Sequence, residues 1–316
     1  MKSLIQRSIP LTLIHTVAAV ATTVSVQAAN YNTLSACAKQ EYLWNKVKES
    51  EYKSLPRFSK FGVVQLMGMT LQQLSKKENH NSDFAPKKWK KYLHERGVMA
   101  KIKFESTGEH KYSGAFLGHE CGLIRLSLTF RPTKSRDVAP GLALKLLRDG
   151  HESANVSLLY RLDGQGKNYN FFENPLSNIV PIAGGIGPKL IHSLFKRVSD
   201  YPEELSVNHM AAYSEEGKKS ASPEAPKQIF FVPNKSLKFS SKAHDVREDL
   251  LTIESGTKLY DVYAYHNESF NYYDYEPEHI AEFISKAEKI GQITTTSEFV
   301  ASEFGDTGIF FRHQFR

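Results

Sequence analysis

Cysteine is scarce in this chain, which has only two, Cys37 and Cys121, among 316 residues. So few cysteines exclude a disulfide-rich scaffold and a zinc site built from paired C-x-x-C motifs. An oxidising compartment would allow one disulfide between them. The sequence leaves open whether the two thiols pair, because pairing depends on how the fold places them.

Several common catalytic motifs are also missing. The chain has no G-x-S-x-G nucleophile elbow, no phosphate-binding P-loop and no H-E-x-x-H zinc motif. These absences argue against the hydrolases, nucleotide-binding proteins and metalloproteases that carry those motifs.

Charge is present in only mild excess. The formal net charge is +7, and it falls to +5 when Lys2 and Arg7 are removed with residues 1–28. A chain of this size carries such a charge without a nucleic-acid partner. The lysine-rich run at 87–91 is more typical of the solvated face of a helix than of a surface that binds phosphates. We therefore expect no nucleic-acid partner.

Long hydrophobic runs are confined to the N-terminus, where Lys2 and Arg7 precede an apolar stretch at 9–26. V-Q-A at 26–28 then offers small residues at the positions that a signal peptidase recognises. We predict a cleaved signal peptide at 1–28 and a periplasmic or secreted protein. An uncleaved membrane anchor is the alternative, which so short a stretch disfavours. No later run is long enough to cross a bilayer, so we expect no membrane association after cleavage.

The mature chain predicts an α+β fold. Helices are expected at 34–48, 64–74, 188–198 and 278–289 from their apolar spacing. Alternating apolar residues and short polar joins predict strands at 98–105, 122–130, 141–148, 154–162, 228–233, 247–254, 258–265 and 290–296. About eight closely spaced antiparallel strands suffice to close a β-barrel. We predict a single domain, with an N-terminal helical arm at 29–97 and a barrel at 98–316.

Charged residues inside two of the apolar strands require partners. Arg125 and Ser127 lie in the strand at 122–130, and Lys145 lies in the next strand. A cation left unpaired in a protein core is costly. His94 precedes the first strand and Asn155 begins the fourth, so both would lie at one mouth of a barrel, where ligand sites are often found.

Four stretches occur in the order in which haem catalases carry them. They are H-x-R-G at 94–97, I-R-L-S at 124–127, G-L-A-L-K-L at 141–146, and Asn155. Lys91 lies three residues before His94, where the family has an arginine that contacts a haem propionate. I-G-Q-I at 290–293 is similar to the strand that closes the catalase barrel. The chain therefore resembles a divergent catalase-like protein, clearly over 88–180 and weakly over 255–314.

This resemblance implies a catalase-type barrel with a haem site that acts on hydrogen peroxide or organic hydroperoxides. His94 would be the distal acid–base catalyst, and Asn155 would orient the peroxide. Lys91 and Arg125 would face the haem propionates, and Ser127 would belong to the same cofactor-binding set. The protein would then be a haem-dependent oxidoreductase.

The sequence departs from the family at the iron ligand. Catalases bind iron through a tyrosine, four residues after an arginine, on a helix beyond the I-G-x-L strand. The last stretch of this chain, 304–314, has no tyrosine. Arg197 and Tyr201 have the matching spacing but precede the closing strands, so Tyr201 is a disfavoured candidate for the axial ligand. Pro140 also stands where the family has an arginine.

Two functions stay open from the sequence. One is an exported haem protein that handles peroxides. The other is a non-enzymatic relative whose barrel binds a hydrophobic ligand or a protein partner. The sequence does not define an oligomeric state.

Overall fold

The computed structural model describes residues 31–57, 82–85, 91, 94–112, 116, 120–128, 140–150, 153–159, 208–211, 226, 228–239, 245–266 and 277–311. The predicted signal peptide, the predicted helices at 64–74 and 188–198, and Tyr201 lie outside these residues. Within the described ranges, no helix combines the length and the apolar character needed to span a bilayer.

The described residues form an α+β arrangement of strands with short helices. The strands are β1 (Arg96–Ser106), β2 (Cys121–Leu128), β3 (Pro140–Leu146), β4 (Ala154–Leu159), β5 (Asn208–Ala211), β6 (Gln228–Pro233), β7 (Lys258–Tyr265) and β8 (Glu288–Thr295). The helices are α1 (Ala36–Glu49), α2 (Val246–Leu250), α3 (Pro277–Ser285) and α4 (Glu303–Thr307).

All eight strands belong to one antiparallel sheet in the order β4-β3-β2-β1-β8-β7-β6-β5. Six strands form a curled half-barrel. At the two edges of the sheet, β4 pairs with β3 and β5 pairs with β6. β1 and β8, the first and last strands in the chain, are neighbours at the centre through the Ile102–Thr295 register. The predicted α+β class with an antiparallel, barrel-like sheet is confirmed, and closure into a barrel of the catalase type stays a prediction.

The larger core lies on one face of the sheet. Residues directly opposite each other in neighbouring strands point to the same face. Val98 lies opposite Leu126, which lies opposite Leu142, so this face is apolar across three strands. Its buried members include Val98, Ala100, Ile102, Phe104, Ile124, Leu126, Leu144, Phe231, Val262 and Ile293.

The opposite face carries both cations of the apolar strands and has a cover of its own. Met99 lies opposite Arg125, which lies opposite Ala143, and Leu123 lies opposite Lys145. Side chains from α1 and the C-terminal segment 299–311 pack on this face in a second, smaller core. We call it the polar face, because the candidate site residues described below lie on it.

Helix α1 begins at a serine cap and is held on the polar face by apolar and polar contacts. The Ser35 hydroxyl accepts a hydrogen bond from the backbone N–H of Ala38, as N-cap residues commonly do. Leu43 and Val47 are fully buried in the second core. Gln40 donates its amide to the carbonyl oxygens of Ile102 and Gly122, so α1 is also hydrogen-bonded to the sheet.

Cys37 of α1 and Cys121 of β2 form a disulfide, with their Cα atoms 5.1 Å apart. The bond therefore ties the cover of the polar face to the sheet. The sequence left this pairing open, and the structure settles it.

Two sequence-based elements require correction. The segment predicted as a strand at 247–254 is α2 followed by a turn. The Asp245 carboxylate accepts a hydrogen bond from the backbone N–H of Arg247 and caps the helix, and Leu250 and Ile253 are buried at a spacing of three residues. β5 takes the place of that strand in the count of eight. The predicted helix at 278–289 ends at Ser285, because β8 begins at Glu288.

Candidate functional site

His94 lies immediately before β1 in a left-handed backbone conformation, with φ of 53°. This conformation is uncommon for residues other than glycine. The imidazole Nδ1 is 3.2 Å from the hydroxyl oxygen of Ser127. Gly141 lies beneath the ring, because a Cβ atom at this position would be 2.6 Å from Nδ1. Ser127 and Gly141 lie opposite each other in β2 and β3, so the pairing register of these strands forms the surface against which the imidazole packs.

Arg125 connects the His94 segment to the C-terminal helix α4. Its Nη2 atom donates to the His94 carbonyl oxygen at 2.8 Å and to the Asp306 carboxylate at 2.7 Å. Arg125 is 3% exposed and Asp306 is 1% exposed, so the ion pair is buried. The partner that a buried arginine requires is therefore a carboxylate of this chain.

Asp306 has further contacts on its second side. Its Oδ2 atom is 3.7 Å from Nη1 of Arg96 and 3.5 Å from the Tyr52 hydroxyl. Arg96 in turn donates to that hydroxyl at 2.6 Å. Burial, followed by the negative charge of Asp306, raises the pKa of Tyr52 to about 12. Tyr52 consequently acts as a neutral hydrogen-bonding group at neutral pH.

Lys91 has a buried amine next to these residues. Its Nζ atom is 5.7 Å from the centre of the Phe311 ring, within the range of a cation–π contact. Burial lowers the pKa of Lys91 well below its usual range, and the positive charge of Arg125 lowers it further, whereas Asp306 opposes the shift. The predicted solvated helix face at 87–91 is wrong for Lys91, because this residue is not helical and its amine is buried. The other residues of that run lie outside the described residues.

Lys145 and Asn155 form the other end of the polar face. Lys145 donates to Asp83 at 2.8 Å and to the Ser153 hydroxyl at 2.9 Å. The Asn155 amide donates to the same hydroxyl at 3.2 Å. Lys145 also lies 5.7 Å from the centre of the Phe311 ring. Phe311 therefore contacts the ammonium groups of both Lys91 and Lys145.

Asp83 is ionised within this network. Burial disfavours its charged form, but the Lys145 charge and hydrogen bonds from Lys145, Ser153 and Tyr31 outweigh burial and lower the pKa of Asp83. The Tyr31 hydroxyl donates to Asp83 at 2.8 Å. Burial and the neighbouring carboxylate raise the pKa of Tyr31. The network therefore has one anion, one cation and neutral hydroxyls.

We expect the stabilisation from Asp83 to disappear in acid. Because its pKa is lowered on folding, its contribution is complete above the unfolded value of about 3.9 and is lost as pH falls through the folded value. The free energy of unfolding of the wild type minus that of Asp83→Asn should be constant from pH 7 to about pH 5 and shrink below about pH 4. Urea titrations at each pH measure it. A difference that grows on acidification would contradict this assignment.

In the part of the chain that the structure describes, three of the site residues predicted from the sequence each have one buried polar atom without a hydrogen-bond partner. These atoms are Nζ of Lys91, Nε of Arg125 and Oδ1 of Asn155. Buried polar groups are normally satisfied, so unpaired ones require an explanation. Two of these atoms are donors on cations, and the third is an acceptor. Together they would suit a ligand that carries both a carboxylate and a hydrogen-bond donor.

The structure brings His94, Arg125 and Ser127 into direct contact and places Lys91 beside Arg125. Asn155 lies further along the same face, opposite Lys145 in the β3–β4 register. Their chemical roles stay predictions, and Tyr201 lies outside the described residues. Among those residues, no group of three or more His, Cys, Asp or Glu side chains is arranged to hold a metal ion.

Sequence reasoning missed Asp83, Asp306 and Phe311. The apolar strands around Arg125 and Lys145 indicate that both cations require partners, but no partner for either was predicted from the sequence. Nothing in the local sequence identified which carboxylates, because Asp306 is 181 residues from Arg125 and Asp83 is 62 residues from Lys145.

Comparison with known proteins gave no match to a family model, a curated protein or a solved structure.

Proposed function

We propose that this chain is an exported, catalase-like protein that binds haem on the polar face and acts on hydrogen peroxide or an organic hydroperoxide. The observation that supports the proposal most is the set of unpaired buried atoms on Lys91, Arg125 and Asn155. These are the residues to which the catalase resemblance assigns propionate contacts and peroxide orientation. Buried polar atoms that have no partner within the protein are what a site for such groups would require.

The two cations differ in how much they would contribute to haem binding. Asp306 already compensates the charge of Arg125 at 2.7 Å. Lys91 has a buried amine without a hydrogen bond, next to the Phe311 ring. A propionate carboxylate would supply both the charge and the hydrogen-bond acceptor that Lys91 lacks. We therefore assign the stronger propionate contact to Lys91.

His94 and Asn155 are the residues that we assign to the peroxide. Haem, when bound, supplies the redox chemistry that cleaves an O–O bond. Ser127 holds the imidazole through Nδ1, and we assign proton transfer to Nε2. Asn155 would accept a hydrogen bond from the peroxide at Oδ1, the atom without a partner. The iron ligand is not assigned.

A non-enzymatic relative is the second candidate, and the Arg125–Asp306 pair favours it. A buried ion pair within the chain gives Arg125 a structural role that needs no cofactor. The disulfide between Cys37 and Cys121 supports export under either candidate, since such bonds persist in oxidising compartments.

Hemin titration of the full mature chain tests the proposal. We expect a defined Soret band with one equivalent of hemin, and about 10- to 100-fold weaker binding in Lys91→Met, the value of one charge-assisted hydrogen bond. Lys103→Met is the control, because Lys103 pairs on the surface with Glu105 and should not alter affinity. Absence of a defined complex would reject haem binding and leave the non-enzymatic relative. Equal affinities in both variants would reject Lys91 as the propionate contact.

A further inference from the structure

The segment that carries His94 is held by its backbone at several points. The His94 carbonyl oxygen accepts from Arg125 at 2.8 Å, and the Glu95 carbonyl oxygen accepts from the same nitrogen at 3.2 Å. The backbone N–H of Gly97 donates to Asp306 at 3.0 Å. These contacts lie at and directly after His94, whose left-handed backbone conformation persists only where its surroundings fix it.

Asp306 supports each of these contacts. Its Oδ1 atom accepts both the Gly97 N–H and Nη2 of Arg125, so one oxygen orients the donor that reaches His94. A Cβ atom at Gly97 would lie 2.9 Å from the Arg125 guanidinium carbon, so the guanidinium rests against this glycine. Asp306 itself is fixed in α4, whose N-cap Ser302 accepts from the Gly305 N–H at 2.8 Å.

We infer that Asp306 is a positioning residue for His94: through Arg125 and Gly97 it fixes the backbone that presents the imidazole to Ser127 and Gly141. The catalytic meaning of this inference rests on the proposed function. The conformational part does not, because every contact that carries it is made between residues of the chain itself.

The carboxylate of Asp306 is required for its charge as well as its shape. Asparagine at this position would keep an oxygen for Gly97, but its neutral amide would bind the guanidinium more weakly. Arg125 would then lose its orientation toward the carbonyl oxygens of His94 and Glu95. The imidazole should then lose its contact with Gly141 for a larger fraction of the time, while the sheet stays intact.

The test compares histidine reactivity toward diethyl pyrocarbonate in the ligand-free, full mature chain, with modification measured by peptide mass spectrometry. We expect His94 to react about tenfold faster in Asp306→Asn than in the wild type, the effect of losing one charge-assisted hydrogen bond. His266 directly follows β7, two strands away from β1 in the sheet, and contacts Glu288, so it should react at an unchanged rate. Asp261→Asn is the control variant, since Asp261 pairs with two partly exposed lysines and should alter neither rate.

A second variant protects the test against misfolding. Asp306→Asn leaves the buried Arg125 without a full counter-charge, which could destabilise the protein as a whole. The double variant Asp306→Asn with Arg125→Met removes the uncompensated charge. It should show the same selective increase in the reactivity of His94. Unchanged His94 reactivity in both variants would overturn the inference, as would equal acceleration at His94 and His266. Because no hemin is present, these outcomes are independent of the haem proposal, which the Soret titration tests separately.

Discussion

Replacement of Asp83 by alanine is expected to lower the free energy of unfolding by about 3–5 kcal/mol, the usual cost of breaking a buried ion pair from one side. Lys145 is fully buried, and its ammonium would lose the carboxylate that compensates its charge, while it would keep its hydrogen bond to the Ser153 hydroxyl. The Tyr31 hydroxyl would lose its acceptor as well. Urea denaturation at pH 7, followed by circular dichroism, measures the difference.

A double variant separates the unpaired charge from the other contacts of Asp83. Asp83→Ala with Lys145→Met removes the isolated cation and should recover most of the loss, because an apolar pair of similar volume is tolerated where an ion pair was buried. Asp261→Ala, which breaks partly exposed ion pairs, should cost only about 0–1 kcal/mol. A double variant as unstable as Asp83→Ala would show that the Lys145 charge is not the cause.

The two faces of the sheet are the part of the fold that the sequence predicts best. Alternation in the strand at 98–105 places Val98 and Ile102 on one face, and the structure buries both in the larger core. In the structure, Arg125 of the neighbouring strand lies opposite Met99 and therefore on the other face. Side-chain alternation is a local property of a strand, so it is readable without knowledge of the partner strands.

Strand alternation does not identify the partners of the buried cations. Arg125 and Asp306 meet because α4 follows β8 onto the polar face, where the backbones of Met99 and Val300 exchange hydrogen bonds at 2.8 Å. That contact depends on the pairing of the first and last strands. Strand alternation predicts that Arg125 needs a counter-charge, but only the tertiary arrangement selects Asp306.

Local patterns failed where side-chain capping decided the conformation. The stretch at 247–254 has the apolar content of a strand, yet Asp245 caps a helix there and pairs with Arg247 at 2.6 Å. Arg247 also donates to the carbonyl oxygen of Pro56, 191 residues away. A backbone acceptor that is distant in the sequence therefore helps to fix this helix, although the local sequence has the apolar pattern of a strand.

The catalase resemblance made a spatial prediction that is separate from its chemical one. It requires Lys91, His94, Arg125 and Asn155 to line one cavity. The structure brings His94 and Arg125 together, but Asn155 lies opposite Lys145, four residues along β3 from the Gly141 that contacts His94, so the common cavity stays a prediction. The resemblance did not predict that Asp306 would pair with Arg125. A charge-compensated arginine makes Lys91 the residue whose replacement discriminates best between a haem protein and a non-enzymatic relative.

Loss of the disulfide should destabilise the protein about as strongly as loss of Asp83. The bond links residues 84 apart in the sequence. In the chain-entropy model, closing a loop of this length lowers the entropy of the unfolded chain by an amount worth about 4–5 kcal/mol at 25 °C. Cys37→Ala with Cys121→Ala should therefore shift the midpoint of urea denaturation far to lower concentration.

The reduced wild type provides the matched control for this variant. Dithiothreitol breaks the bond without changing the size of either side chain, so the reduced wild type and the double alanine variant should unfold at similar urea concentrations. A loss below about 1 kcal/mol in both would mean that the unfolded chain already holds α1 near β2, since residual structure lowers the value of a crosslink. Amide hydrogen exchange gives a second measurement. Reduction should accelerate exchange in α1, because the disulfide holds this helix on the polar face. Exchange in β7, which is three strands away from β2 in the sheet, should accelerate less.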